Sequence, residues 1–230
     1  RCDVIAGPGN KYVTEAKKII YGNSGIDFLA GPSEVFIIAD DSADPSWIAA
    51  DMLAQAEHDP DAQAVLATPS FLLAEKVQKE ISVQITQLKS PESAKESLEN
   101  NGLIILTRDP EEAMEIANKK APEHLELALD DTEQRARLVE QARNYGSLFI
   151  GHETAEVFGD YCAGLNHTLP TSGSARFTGG LSVRHFLKTV TTLRALGAQS
   201  IQKTARHAAV IGLSEGLEAH ARAAQIRMQS

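Results

Sequence analysis

Apolar positions along this chain follow two rhythms. Short continuous runs such as residues 35–39 alternate with longer stretches in which apolar residues return every three or four positions. The first rhythm predicts buried strands and the second amphipathic helices. Residues 2–6 predict a short strand ending in Gly7-Pro8-Gly9-Asn10, a turn leading into a helix over 11–21. Residues 26–29 and 35–39 predict two more strands, joined by Ala30-Gly31-Pro32-Ser33-Glu34. Asp44-Pro45 opens the next helix with a capping carboxylate and a first-turn proline. Strands at 64–67, 103–107, 125–129 and 147–150 alternate with helices at 70–88, 110–119 and 132–144. Residues 89–101 read as a polar, exposed connection with room for a short helix. Strands alternating with helices of this length predict βαβ units. The fold class expected is α/β, a Rossmann-like, partly parallel sheet flanked by helices. After Gly151 the alternation stops. Residues 159–177 form a long, polar, glycine-rich stretch of the kind that carries function. From Leu181 the pattern is helical to the end, with Val210, Leu213, Leu217, Ala221 and Ala224 on one apolar stripe and His220 on or beside it.

Composition narrows the setting. The 230 residues suffice for one or two domains with proper cores, and no apolar run approaches the ~20 residues that span a bilayer. The chain opens on residues that read as a strand already under way, without an initiator Met or a signal peptide, so a fragment of something longer is expected. Cys2 and Cys162 stand far apart with no CxxC, which suits a reducing cytoplasm. Net charge is −9, and no basic patch is interleaved with aromatics, which argues against nucleic acid. The charge is uneven. Residues 176–230 hold eight Lys/Arg against two Asp/Glu, or +6, and residues 1–175 therefore carry −15. A basic helical tail on an acidic body suggests docking onto acidic surface, its own or a second copy's.

Three places carry polar residues that a fold does not need. In Ala54-Gln55-Ala56-Glu57-His58-Asp59, helical spacing puts Gln55 and His58 on one face and turns Glu57 away; most such pairs are simply solvated. In Ala121-Pro122-Glu123-His124-Leu125-Glu126, an adjoining carboxylate and imidazole at a strand entry could transfer protons, or could be an ordinary solvated Glu beside a turn His. The stretch 159–171 gathers Asp160, Asn166 and His167. Glu215 to His220 adds an imidazole in the terminal helix, a position where His is usually a core or interface residue. Gln55, His58, Asp160 and His220 together make an N/O ligand set without thiolate, which favours Zn²⁺ or Mn²⁺ in an open catalytic geometry.

The phrases AGPGNKYVTEAK, IDFLAGPSEV, AQAEHD, APEHLE, GDYCAGLNHTLPTSG and EGLEAH, in this order, resemble histidinol dehydrogenase. The likeness runs from Arg1 to about Arg227 and covers the carboxyl-terminal part of a family chain roughly twice as long. It implies zinc-dependent, NAD-linked oxidation of L-histidinol through histidinaldehyde to L-histidine, the last step of histidine biosynthesis. It further implies Gln55, His58, Asp160 and His220 as zinc ligands and Glu123 and His124 as acid–base residues. Ser33 and Glu215 are implied as substrate contacts alongside the ligands and His124, and Asn10 as an NAD contact. Family sites lie between two subunits of a homodimer, with the terminal Glu and His donated by the partner. Three segments are then expected: residues 1–33 as the end of a truncated nucleotide-binding α/β domain, 34–175 as an α/β domain with most site residues, and 176–230 as a helical dimerisation segment. Two other readings remain: a paralogue oxidising another small polar alcohol, such as a sulfonated one, and a non-catalytic zinc-binding, dimerising fragment.

Overall fold

The computed structural model describes residues 2–228, which fall into two compact units, one reaching to Leu187 and one starting at Lys188. The first unit opens with β1 (Val4–Ile5), α1 (Lys11–Ile20) and β2 (Gly25–Ile26), the two strands forming a small parallel ladder of their own. There follow β3 (Glu34–Ala39), α2 (Pro45–Ala56), β4 (Gln63–Thr68), α3 (Phe71–Gln84), α4 (Glu92–Asn101), β5 (Leu103–Leu106), α5 (Pro110–Lys120), β6 (His124–Ala128), α6 (Glu133–Gln141) and β7 (Ser147–Ile150). Strands β3 to β7 make one parallel sheet in the order β5-β4-β3-β6-β7. The chain enters at the centre, steps outward twice, and then crosses to the other side of β3. The expected α/β class is the one observed.

Burial follows from the strand period. Every residue of β3 is buried, as a strand covered on both faces requires. Val35, Ile37 and Ala39 pack under Ile48, Ala49 and Met52 of α2 and Leu73 and Val77 of α3. Phe36 and Ile38 pack on the opposite face with Ala113, Met114 and Ala117 of α5 and Leu138 of α6. On β6 the same alternation sends Leu125 and Leu127 to the α5 side. His124, Glu126 and Ala128 therefore face the α2 side. That places an imidazole and a carboxylate inside.

Three expectations need correction. Residues 89–101 contain α4, a full helix, because Ala94 and Ser97 give it a narrow buried face and the Ser97 hydroxyl donates to Ala62 O. The helix carrying Gln55 stops at Ala56, and His58 lies in the turn beyond it. Pro60 keeps the helix from continuing beyond this turn, since it pushes Asp59 out of the helical region. Residues 181–197 are not helical apart from a 3₁₀ turn at Val183–Phe186, and the terminal helices are α8 (Ala198–Ser214) and α9 (Glu218–Ile226), which follow the short α7 (Val157–Tyr161). Within the second unit α8 and α9 meet through Ala205, Ala209, Gly212 and Ala221, while Val210, Leu213 and Leu217 of the expected stripe are exposed. Small residues win because they let backbones approach; a Cβ on Gly212 would lie 3.0 Å from the Ala221 amide nitrogen. The first compact unit continues past residue 176 to Leu187. Ala175 is buried, Leu181 N–H donates to Thr168 O, and the His185 ring lies edge-on to Phe28, which ties this stretch to the first unit.

Candidate active site

Parallel pairing sets Val35 opposite His124, so Glu34 and Glu123 meet where β3 and β6 begin. The Glu34 N–H donates to Glu123 Oε2 at 2.9 Å, which turns that carboxylate inward. Glu34's own carboxylate takes the Ser172 N–H at 3.1 Å and lies 3.5 Å from Lys120 Nζ. His124 Nδ1 is 3.1 Å from Glu34 O. A carbonyl only accepts, so in the neutral ring Nδ1 carries the proton and Nε2 keeps a lone pair. That lone pair looks toward Glu156 Oε1 at 3.7 Å and Asp160 Oδ1 at 4.0 Å.

Two other elements close the site. Helix α7 presents Asp160 one turn after Glu156, which precedes the helix at its cap position. Gly159 lets α7 approach: a Cβ there would lie 2.9 Å from the Phe149 ring, whose centroid is 5.8 Å from that of His124. The turn after α2 brings His58 Nε2 to 3.9 Å from Asp160 Oδ2. Inside α2, Gln55 is fully buried with neither amide atom hydrogen-bonded, and both Glu156 oxygens are buried without a hydrogen-bond partner. Unsatisfied buried amide and carboxylate oxygens are costly unless a ligand completes them. The donor set of imidazole, carboxylate and amide suits a divalent cation such as zinc. Ligand atoms of His124, Glu156 and Asp160 lie within 4.8 Å of one another.

The electrostatics agree with a site awaiting positive charge. Burial pulls His124 down to about 4 against the opposing pull of Asp160, so the ring is neutral at pH 7. Burial, reinforced by Asp160, pushes Glu156 up to about 8. Glu123 is also raised, first by burial and then by the charges of Glu34, Glu156 and Asp160, against the Glu34 N–H bond. Behind them lie Asp51 of α2 and Glu126 of β6; burial raises Asp51 to about 6, and burial with the Asp51 charge raises Glu126.

Ser33, His58, Glu123, His124 and Asp160 line one cavity of about 180 Å³, together with Pro8, Gly9, Gly31 and His167. Gln55 is buried on α2. Asn10 caps α1 beside the cavity wall, its Oδ1 accepting from Tyr12 N–H and Val13 N–H. Glu215 and His220 belong to the second unit, Glu215 at the end of α8 and His220 in α9, both exposed. Sequence reasoning passed over Glu156, Glu126 and Asp51. Two acids four apart, Glu156 and Asp160, and an acid two residues from His124 in a strand were the available signals.

The comparisons with known proteins converge. A family profile described as histidinol dehydrogenase matches residues 1–228. Histidinol dehydrogenase from a Synechococcus species is 50% identical over 230 residues, covering 100% of this chain and 52% of its own. The enzyme of that name from Thermus thermophilus is 48% identical over 227 residues, covering 99% of this chain and 54% of its own. The chain thus spans about half the length of the curated relatives it matches. The crystal structure of histidinol dehydrogenase from Elizabethkingia anophelis superposes with a TM-score of 0.85 at 37% identity, over 100% of this chain and 52% of that one. An acetylating aldehyde dehydrogenase from Geobacillus thermoglucosidasius shares the fold at a TM-score of 0.52 and 14% identity, over 85% of this chain and 57% of that one. On this evidence the chain belongs to the histidinol dehydrogenase family.

Proposed function

We propose that the protein carrying this chain oxidises L-histidinol to L-histidine through histidinaldehyde, with NAD as acceptor and zinc in the site, in the cytoplasm. The observation that carries this reading is the convergence of Ser33, His58, Glu123, His124 and Asp160 on one cavity, with His124 neutral and its Nε2 facing inward. Gln55, His58 and Asp160 would hold the zinc, and His220 from a second copy would complete the set. The exposed Val210, Leu213 and Leu217 of the second unit support such a homodimer. Bound zinc would supply a Lewis acid for the substrate's nitrogens, and two NAD molecules bound in succession would supply one hydride acceptor for each oxidation.

The chain's residues do the proton work. His124 Nε2 takes the hydroxyl proton as the carbinol carbon gives up its first hydride, yielding the aldehyde. His124 returns that proton to the aldehyde oxygen as Glu123 takes a proton from water and the water oxygen bonds the aldehyde carbon, giving the hydrate. His124 then takes a hydroxyl proton of the hydrate as the second hydride leaves, and the carboxyl group so formed releases its remaining proton to become the carboxylate. Ser33 and, from a second copy, Glu215 position the substrate, and Asn10 contacts NAD. The placement of Glu123 and His124 beside Glu34, fixed by β3–β6 pairing, supplies the orientation of the acid–base pair.

The test is bound zinc and NADH formed from L-histidinol, measured on the full-length protein for wild type, His58→Ala and His124→Ala. The proposal expects His58→Ala to lose zinc, and His124→Ala to keep zinc and lose turnover. Full zinc in His58→Ala would overturn the ligand assignment. A second reading rests on the tight His124–Glu156–Asp160 triad. Loss of zinc in His124→Ala would move the metal onto it.

A further inference from the structure

Lys17 and Asp27 form a buried ion pair that none of the chemistry above uses. Lys17 Nζ is 2.7 Å from Asp27 Oδ1, with side chains 5% and 0% exposed. The pair does more than neutralise itself. Lys17 Nζ also donates to Gly7 O at 2.6 Å, and Asp27 Oδ2 accepts the Gly7 N–H at 2.8 Å. Asp27 Oδ1 takes the Phe28 N–H at 2.7 Å as well. Both polar groups of the Gly7 backbone are therefore held by this one pair.

The backbone held in this way is a wall of the candidate site. Gly7 begins the Gly7-Pro8-Gly9-Asn10 turn, and Pro8 and Gly9 line the cavity opposite His124. Asp27 and Phe28 lead into Ala30, Gly31 and Ser33, which line the same cavity. Beyond this pair, the first wall is held by the two-residue strands β1 and β2, by the Asp27 N–H bond to Ile5 O and by the exposed Lys11–Asp61 ion pair at 3.0 Å. Thr14 adds a hydrogen bond from α1 to Ala30 O. A buried ion pair is weak evidence for stability, because desolvation offsets its attraction and a well-packed apolar pair serves as well. Its value here is geometric.

We propose that Lys17 and Asp27 are positioning residues for the proposed dehydrogenation: they set the spacing between the Gly7–Asn10 turn and the Ala30–Ser33 wall, and so the placement of NAD and substrate. This rests on the functional reading above. A carboxylate accepting three N–H groups and an ammonium bridging two loops define a fixed distance that an apolar contact does not. Burial alone would raise the Asp27 carboxyl, yet the Lys17, Gly7 and Phe28 hydrogen bonds hold it below its usual range, so the carboxylate stays ionised.

The test compares full-length wild type, Lys17→Met and the double variant Lys17→Met/Asp27→Leu. It reads Tm, bound zinc, kcat, KM for NAD and for L-histidinol, and amide exchange over residues 7–10. The single variant is expected to lose Tm because Asp27 is left buried and unpaired. The double variant is expected to recover Tm, to bind zinc as wild type does, and still to show KM raised about tenfold and faster exchange at residues 7–10. A double variant with wild-type KM and wild-type exchange would overturn the proposal and leave the pair a stability feature. If wild type itself does not oxidise L-histidinol, the dehydrogenase reading falls, and exchange at residues 7–10 in the double variant decides the positioning role alone.

Discussion

The two ends of the central sheet carry similar residues and behave differently. At the carboxyl ends of β3, β6 and β7 an open cleft of about 530 Å³ is lined by Ser42, Asp44, Arg135, His152 and Glu153, with Asp40, Asp41, Asp130 and Asp131 in the adjoining turns. The five aspartates each have a local partner: Asp40 takes Ser42, Asp41 takes Ser70, Asp44 caps α2, Asp130 takes His152 and Asp131 takes Arg135. At the amino ends, Glu123, His124 and Asp160 line a cavity a third that size, with Glu34 and Glu156 buried beside them, and both Glu156 oxygens lack hydrogen-bond partners. Open parallel sheets usually bind ligands at the carboxyl ends, where the strand order reverses. Here the larger and better-placed cleft is chemically content. The smaller one is not, and unmet polar demand is what marks it.

The sharpest way to break that contrast is to exchange imidazole for methyl at each end. His124→Ala should lower kcat for L-histidinol by about 10²–10⁴, the range for removing an acid–base group, while His152→Ala should leave kcat within about twofold. Equal losses in a steady-state NADH assay would end the distinction between the two ends.

A second contrast uses pH. Asp51 titrates near 6 in the folded protein against an ordinary 3.8, and its partner Glu126 is raised too. The folded state therefore holds protons that the unfolded chain has released. Stability from this pair is fully present below about pH 4 and is lost as pH rises through about 6, by about 1–3 kcal/mol. Asp51→Asn removes the demand for a shared proton, so its urea midpoint should change less than wild type's between pH 4.5 and 7.5. Parallel pH profiles would show that the pair is not the source.

Backbone approach gives a third. Gly159→Ala forces α7 off the Phe149 ring and should cost about 1–3 kcal/mol in denaturant unfolding, with weaker zinc retention through Asp160. At the other end, Asp44→Ala removes only a helix cap, worth about 1 kcal/mol, and should leave zinc unchanged.

The smallest effect concerns the turn into β6. Ala121 ends α5 in the left-handed region at φ 57°, immediately before Pro122, Glu123 and His124. Ala121→Gly should relieve that conformation and change Tm by the equivalent of no more than about 1 kcal/mol, since the unfolded chain gains freedom in compensation.

The α/β alternation was legible because most strands of the central sheet contain a short apolar run, and most helices carry a clear apolar face. Helix α4 was hard to read because its buried face is only Ala94 and Ser97. The stretch before Ala198 misled for the opposite reason. Leu187, Val190, Leu193 and Leu196 have helical spacing yet are all exposed, and Gly197 at φ 82° precedes the helix that does form. At the site, the Glu123-His124 pair and Asp160 stood out in sequence, whereas Glu156 and Glu126 did not. A buried acid looks like a surface acid until strand pairing and helix approach are known. The Gly7 clamp was equally hidden, since Lys17 reads as an ordinary helix lysine.

The hydrogen bond from Glu34 N–H to Glu123 offers something of practical use. That amide does not join a strand ladder; its acceptor is the carboxylate that would activate water. Its exchange with deuterium therefore reports whether Glu123 keeps this bond or has swung away from it, one residue at a time and without substrate turnover. Ligands that draw Glu123 into the cavity should unshield the Glu34 proton, while those that only fill space should leave it protected. A single backbone proton thus becomes a gauge for sorting inhibitors by how they engage the reacting carboxylate.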